Sequence, residues 1–491
     1  MEKEKQKNKK VNSEEKFFTL SEFRHKAGIP LILAKKLVAW RKMKSETNEE
    51  GKIVVEELEA MRIIKLLRRP WVKAYYFFRA LGPGFVTGAS DNDPGGIGTF
   101  SSVGAKFGLG IIWMAVWLLP MMMAIQEVCA RIGIVTNKGL AGVLQKHYRR
   151  NIVLSIVTLL IVANIVNIGA DLGAMAASLE MLVNVNFYVG AIFFALLTIV
   201  LEIFVGYHYY MRILKWLALF VLVYVATGLI INPEWHEVFR AAFVPKLDFS
   251  DEYIFAVIAV FGTSITPYLF FWQTSGEVED NNLTRKLQRL VGEKISYKRH
   301  DRIVKMRTDV GTGMILANIV FFFIVLTTAQ VLYKNGITEI ESAHQAAEAL
   351  RPLAGKYAYL LFAVGIIGTG LLAIPILAGS GAYALAEVMK WREGLDKKFL
   401  RAKGFYMVIV LSILVGLLLN IFNINPIMAL YYSAFLNGII SLPLLITIMV
   451  VGGDREIMGR ETHPVWVRIF GWGAIFFMIG ILFLGLVLFF N

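Results

Sequence analysis

Asp91 and Asp93 lie two residues apart in the run GASDNDPGGIGTF, residues 88–100, just ahead of Pro94, Gly95 and Gly96, inside a stretch apolar enough to cross a bilayer. A carboxylate in hydrocarbon costs about 3 kcal/mol or more. A Pro-Gly-Gly break also frees backbone carbonyls that must find partners there. The combination persists where it lines a site, and the natural partner for a carboxylate beside freed carbonyls is a cation. Asp93, directly before the break, is the expected ligand. Asp91 is roughly 200° away around a regular helix, cannot face the same point, and is expected on an entry path or a packing face.

A second interruption lies in FGTSITPYLFFWQ, where Pro267 follows Thr266. Thr263 and Thr266, three apart, are expected to share one helical face, and the proline frees the carbonyls just before it. Alone, the two hydroxyls would read as ordinary bonding to the helix backbone. Gln126, Glu127, Asn164, Asn167, Asp171 and Glu202 also fall in apolar segments. Glu127 is four residues before Arg131 and is expected to form a structural ion pair with it. Asp171 has no base near it in its segment and is a pathway candidate. Asn437, beside Gly438, offers a neutral oxygen or a packing contact.

The elements that must position these groups are membrane helices. Of 491 residues, 56% are hydrophobic and 18% charged, with a mean hydropathy of +0.58. At about twenty apolar residues per span, eleven segments are expected: 76–107, 110–134, 151–174, 186–207, 211–231, 252–277, 308–333, 357–388, 404–422, 426–451 and 466–490. The interruptions fall in the first and sixth, matched positions of two five-span halves, as in inverted-repeat transporters with half-helices around a midplane site. With the N-terminus cytoplasmic, the inside loops, including the dense run Arg285 to Arg307, collect about 24 basic residues against about 6 outside. That bias predicts a multi-pass protein of the cell membrane with its N-terminus inside and its C-terminus outside. It also accounts for the net charge of +14 without a nucleic-acid partner.

The single cysteine, Cys129, excludes an internal disulfide framework and a cysteine-based metal site. The seven histidines, at 25, 147, 208, 236, 300, 344 and 463, fall in the tail or loops, so no imidazole is expected at the midplane. Methionines such as the run 121–123 read as packing. What remains is an oxygen-only set, suited to Mg²⁺ or Mn²⁺ rather than Cu⁺ or Zn²⁺. No nucleophile–base arrangement, phosphate-cradling loop or metal-hydrolase motif marks an enzyme, and no cofactor is implied.

Residues 1–70 are expected to form a separate basic cytosolic domain, small and helical, with 71–491 as the transmembrane part. After a Lys-rich disordered start, LSEFRHKAGIPLILAKKLVAWRKM, the turn-like KSETNEEGK and VVEELEAMRIIKLLRR read as helix–turn–helix, wing and helix. That order resembles the winged helix–turn–helix domains of MerR-type regulators. A basic domain or a helix lying on anionic lipid is the competing reading and is preferred here.

The stretches GPGFVTGASDNDPGG, GTSITPYLFFWQ, EVCARIGIVTNKGLAGVL and GIIGTGLLAIPILAGSGAYALAE resemble the natural resistance-associated macrophage protein (NRAMP) family of divalent metal transporters. The similarity covers roughly residues 76 to 490. It implies an all-α, leucine-transporter-like fold of eleven spans in an inverted 5+5 repeat, with broken first and sixth helices holding the ion. The usual first-span motif is Asp-Pro-Gly-Asn. Here Asp93, Pro94 and Gly95 keep it, and Gly96 stands at the asparagine. The usual sixth-span pattern, Ala-x-x-Met-Pro-His, reads Thr263-Ser264-Ile265-Thr266-Pro267-Tyr268, with a hydroxyl for the thioether and the phenol of Tyr268 for the proton-linked imidazole. In the third span Asp171 keeps one acid of a usual pair and Ile168 takes the other position.

Losing the thioether leaves a hard-oxygen site, and glycine at 96 clears volume for a partly hydrated ion. Losing titratable groups weakens proton coupling. The pattern is similar to that of the NRAMP-related magnesium transporters, so Asp93, Gly96, Thr263 and Thr266 are the expected metal site. Asp91, Tyr268, Asp171 and Asn437 are the expected pathway residues. The expected function is Mg²⁺ transport, with Mn²⁺ accepted, by alternating access and without coupled protons. Proton-coupled Mn²⁺/Fe²⁺ transport is the first alternative, and a membrane-tethered metal sensor is the second. Oligomeric state is not set by any of these features.

Overall fold

A computed structural model of the chain describes residues 17–19, 22, 45–47, 53–56, 60, 82–205, 222–291, 299–395, 397–422 and 424–489. The chain divides into two compact units, Met1–Leu81 and Gly82–Asn491. The expected boundary at residue 70 lies outside the described residues.

The first unit was expected to be helical with a wing at KSETNEEGK; it carries a three-stranded antiparallel sheet, in which one antiparallel pair flanks that turn. Strands β1 (Phe17–Thr19), β2 (Ser45–Thr47) and β3 (Ile53–Glu56) are ordered β1-β3-β2. Phe18 stands opposite Val55 and Glu46 opposite Val54. β1 therefore orders the end of the Lys-rich start. The run taken as helix from Val54 opens as strand, because the β-branched Ile53-Val54-Val55 suits a pleated surface better than a helical turn. Thr19 and Glu22 form a reciprocal capping box: the Thr19 N–H donates to Glu22 Oε2 at 2.9 Å and the Glu22 N–H to Thr19 Oγ1 at 3.2 Å. The helix that this start signal announces lies outside the described residues, as does most of the third.

The second unit is helical. Its elements are α1 (Pro83–Ser90), α2 (Pro94–Phe107), α3 (Trp113–Thr136), α4 (Leu140–His147), α5 (Arg150–Val183), α6 (Phe187–Phe204) and α7 (Leu222–Ile230). They continue with α8 (Trp235–Phe243), α9 (Asp251–Ser264), α10 (Pro267–Val291), α11 (Arg299–Val331), α12 (Ala358–Met389), α13 (Lys403–Leu419), α14 (Pro426–Gly453) and α15 (Val465–Phe489). Among the described residues, nine helical stretches are long and apolar enough to cross a membrane. The first expected span escapes that length criterion because its break divides it into α1 and α2, of 8 and 14 residues. The fifth, of which α7 is the described part, falls largely outside the described residues. Among the described residues, ten of the eleven expected spans are therefore present.

Both predicted breaks are real, and prolines elsewhere show why. Pro120, Pro375 and Pro443 sit inside α3, α12 and α14 without ending them. At the breaks, by contrast, the residue before the helix leaves helical geometry. Asp93 has φ −67° and ψ 174°, ahead of Pro94 at the first helical position, a place that suits proline because its missing N–H is not needed there. Ile265 has φ −120° and ψ 70° after the last turn of α9, and Pro267 opens α10.

The packing fixes the half-helices against whole ones. α1 lies on α11, α2 between α11 and α14, and α9 on α14 and α15, while α5 is packed by α12, α13 and α14. The α1–α11 contact is backbone against backbone: a Cβ on Gly88 would come 2.2 Å from the carbonyl of Gly313. The loop expected across Arg285 to Arg307 is largely helix, since α10 runs on to Val291 and α11 starts at Arg299. Lys and Arg are good helix formers outside the bilayer, so charge marks the end of the membrane here and not the end of the helix.

Candidate ion site at the two breaks

Asp93 is the N-cap of α2. Its Oδ1 accepts from the Gly96 N–H at 2.6 Å, and its Oδ2 accepts from the Tyr268 hydroxyl at 2.9 Å. The first bond follows from sequence, because an aspartate before Pro-Gly-Gly supplies the acceptor that a helix N-terminus lacks. The second joins the two breaks: Tyr268 sits in the first turn of α10, and its hydroxyl also lies 3.3 Å from the carbonyl of Ser90, the last residue of α1. The two partners use two of the roughly four acceptor directions of a carboxylate, so the rest stay open. Asp93 is 6% exposed and Tyr268 2%.

The first break departs from the regular turn assumed for it. For Asp91 this corrects the sequence expectation. The 200° separation from Asp93 presumes a regular turn, but α1 ends at Ser90 and Asp91 is already its C-cap, with its N–H donating to the Thr87 carbonyl at 3.1 Å. The unwound link removes the 200° separation as a constraint on the two acids. Asp171 is buried on α5, which packs against α2, the helix that begins at the first break.

The second break also departs from expectation. Thr263 stands in the last turn of α9, but Thr266 lies beyond the helix end, so the two do not share a helical face. Pro267 instead removes the N–H that would have bonded the Thr263 carbonyl. Several buried oxygens at the breaks have no hydrogen-bond partner in the protein: Oδ1 of Asp91 and of Asn92, Oγ of Ser264, Oγ1 of Thr266, and Oδ2 of Asp171. Buried acceptors without donors are rare in native proteins, and a hard cation is the partner that satisfies such atoms. Among the described residues, no three His, Cys, Asp or Glu side chains converge as a ligand cluster. A cation held here would therefore lean on few carboxylates and on neutral oxygens.

Gly96 matters for space. A Cβ there would stand 2.9 Å from the Asp91 carbonyl oxygen and 3.5 Å from Asp93 Oδ1, so any side chain would have to displace the backbone of the break. Asn437 on α14 is paired reciprocally with Asn167 on α5, at 3.0 and 3.1 Å, and its oxygen already accepts a bond. Asn164 donates to the Leu377 carbonyl and to Ser380, both at 2.9 Å. Glu127 pairs with Arg131 at 2.5 Å, as expected, and also with Arg307 at 2.9 Å.

Sequence reasoning missed three groups. Asn92 and Ser264 lie inside the quoted motifs, and their position between broken ends was the available signal. Asp309, on α11, bonds the N-terminus of α1 and carries no local signal at all, because its partners are more than two hundred residues away.

Two interrupted helices that meet at matched positions in a bundle of membrane helices define a leucine-transporter-like secondary-transporter fold. Solved structures share it: a manganese transporter of Eremococcus coleocola superposes with a TM-score of 0.64 at 17% identity, over 83% of this chain and 85% of that one. Mhp1, a nucleobase-cation-symport-1 family transporter, superposes with a TM-score of 0.50 at 13% identity, over 83% and 93%. The natural resistance-associated macrophage protein-like family matches residues 84–488, and the chain belongs to that NRAMP family. Among curated relatives, the divalent metal cation transporter MntH of Klebsiella pneumoniae strain 342 is 26% identical over 396 residues, 80% of this chain and 90% of the relative. MntH of Pectobacterium carotovorum is 25% identical over 395 residues, with the same coverage.

Proposed function

We propose that this chain is a secondary transporter that moves divalent cations, Mg²⁺ with Mn²⁺ also accepted, by alternating access around Asp93 and without coupled protons. One observation carries the reading: the Asp93 carboxylate, bound to Tyr268 across the two breaks, is surrounded in both motifs by oxygens alone. Asp93, Gly96, Thr263 and Thr266 form the ion site in this reading, with Asp91, Asp171 and Tyr268 beside it and Asn437 on the approach. Sulfur is missing at 266 and imidazole at 268, which removes a preference for soft transition metals and a proton carrier. The names of the relatives support the divalent-cation part of the proposal.

A second reading, proton-coupled Mn²⁺ transport, draws on the manganese transporter among the structural neighbours and on Asp171, a titratable group retained close to Asp93. One experiment separates the two. The full chain in proteoliposomes, with an inside-negative voltage imposed, is followed by Mg²⁺ and Mn²⁺ uptake and by an internal pH dye. Entry of both ions at constant internal pH is the expected result. Acidification in step with Mn²⁺ entry, or entry of Mn²⁺ without Mg²⁺, favours the second reading, and entry of neither ion refutes both.

The bias of basic residues supports a cell-membrane protein with a cytoplasmic N-terminus and an external C-terminus. Residues 1–70 are then a small basic cytosolic domain with no nucleic-acid partner, attached to a transport domain over 71–491.

A further inference from the structure

We propose that Asp309 holds the inner half-helix α1 closed against α11, so that release of its carboxylate opens a path to the Asp91–Asp93 break from one face of the bundle. This rests on the alternating-access reading of the site.

A helix leaves its first N–H groups without partners. In α1 the N-cap is Gly82, which has no side chain, and the first helical residue is Pro83, which has no N–H. The donors left are those of Gly82, Gly84 and Phe85. All three go to the Asp309 carboxylate, at 2.8, 2.8 and 3.2 Å. The carboxylate belongs to α11 and is 5% exposed. Every N–H of the first turn is thus satisfied by one charged group on another helix.

Four other helices of the bundle are capped locally, while α4, like α1, is capped from another helix, its Gly139 and Gly142 N–H groups donating to Glu387 on α12 at 2.6 and 2.9 Å. Asp93 caps α2, Asn186 caps α6, Ser250 caps α9 and Asn425 caps α14. A local cap travels with its helix and says nothing about where the helix sits. A remote cap is complete in only one placement, because tilting α1 away from α11 strands three donors at once.

The rest of the α1–α11 contact is a close approach of two backbones. A Cβ on Gly84 would stand 2.6 Å from the Val310 nitrogen, and one on Gly88 would stand 2.2 Å from Gly313. The two backbones touch along these glycines, with the Val310 side chain also against Gly84. α1 is also tied to α10 by neutral contacts, from the Thr87 hydroxyl to Gln273 Oε1 at 2.6 Å and from the Tyr268 hydroxyl to the Ser90 carbonyl at 3.3 Å. Bonds to a carboxylate are roughly twice as strong as neutral ones. At eight residues, α1 is a stiff rod of about 12 Å, and its far end is the first break. Motion at Asp309 is therefore delivered to Asp91 and Asp93.

The test needs no transported ion. The only cysteine is Cys129, so Cys129→Ala with Ala89→Cys gives the full chain one thiol, at a position now 5% exposed beside the break. In proteoliposomes without added metal, labelling by a membrane-impermeant maleimide is timed from each face separately. Asp309→Asn, which keeps one acceptor oxygen, is expected to speed labelling by roughly tenfold, and Asp309→Ala by at least as much. The gain should be confined to the face of the basic loops, and a gain confined to the other face supports the hold while reversing the orientation. Equal labelling rates in Asp309→Asn and the parent, with unchanged gel-filtration profiles, overturn the proposal. Where Asp309→Ala does not reach the membrane, Asp309→Asn decides. Faster labelling in a chain that moves no ion leaves the hold standing and removes the transport reading instead.

Discussion

Asp93→Ala is expected to abolish Mg²⁺ and Mn²⁺ uptake into proteoliposomes, with a fall of at least roughly a hundredfold, because about 3 kcal/mol of lost ion contact already amounts to that much. The alanine variant also loses a helix cap, so it confounds charge with structure. Asp93→Asn separates them. Its amide oxygen can still accept from the Gly96 N–H, the bond now 2.6 Å long, while the charge is gone. Asparagine caps helices about as well as aspartate, so its thermal stability should stay close to that of the parent, whereas alanine costs about 1 kcal/mol. Uptake should be lost in both variants. Uptake retained in Asp93→Asn would show that the carboxylate is a structural cap and that the ion lies elsewhere.

Thr266→Met is expected to turn the preference of the site toward soft ions. The Thr266 hydroxyl is buried without a partner at the second break, and a thioether there restores the donor that the family pattern carries at this position. The ratio of Mg²⁺ to Cd²⁺ uptake should fall by about tenfold, since a single favourable contact worth about 1.4 kcal/mol changes a selectivity ratio by that factor. Competition by Cd²⁺ against Mg²⁺ uptake reads it directly. An unchanged ratio in a variant that still transports means that residue 266 does not touch the ion. The matching change at 96 is a poorer test, because a side chain there meets the Asp91 carbonyl at 2.9 Å and would rebuild the break itself.

The parts of this architecture written locally were legible in the sequence. Apolar length gave the spans, and Pro94 and Pro267, each with polar neighbours, gave the two breaks. Aspartate before Pro-Gly-Gly marked Asp93 by its own chemistry. Errors arose where a regular helix was assumed up to the break. Asp91 was turned away from Asp93, and Thr263 was set on one face with Thr266, because periodicity has meaning only while the hydrogen-bond ladder continues.

What was not legible depends on partners distant in sequence. Tyr268 entered only through its place in a family pattern, and its bond to Asp93 follows from how α10 meets α2. The Asn167–Asn437 pair and the three bonds to Asp309 arise from packing between helices, which no local pattern encodes. The strand at Ile53–Glu56 overrode a helical reading because its partners, β1 and β2, lie in segments read as disorder and turn.

The central claim is that a divalent cation rests against Asp93 between two broken helices. Anomalous diffraction at the manganese edge, from crystals of the full chain grown in Mn²⁺, tests it most directly. The account predicts one strong peak beside the Asp93 carboxylate, in direct contact at about 2.1 Å or one water farther out. A peak elsewhere in the bundle, with none beside Asp93, contradicts it.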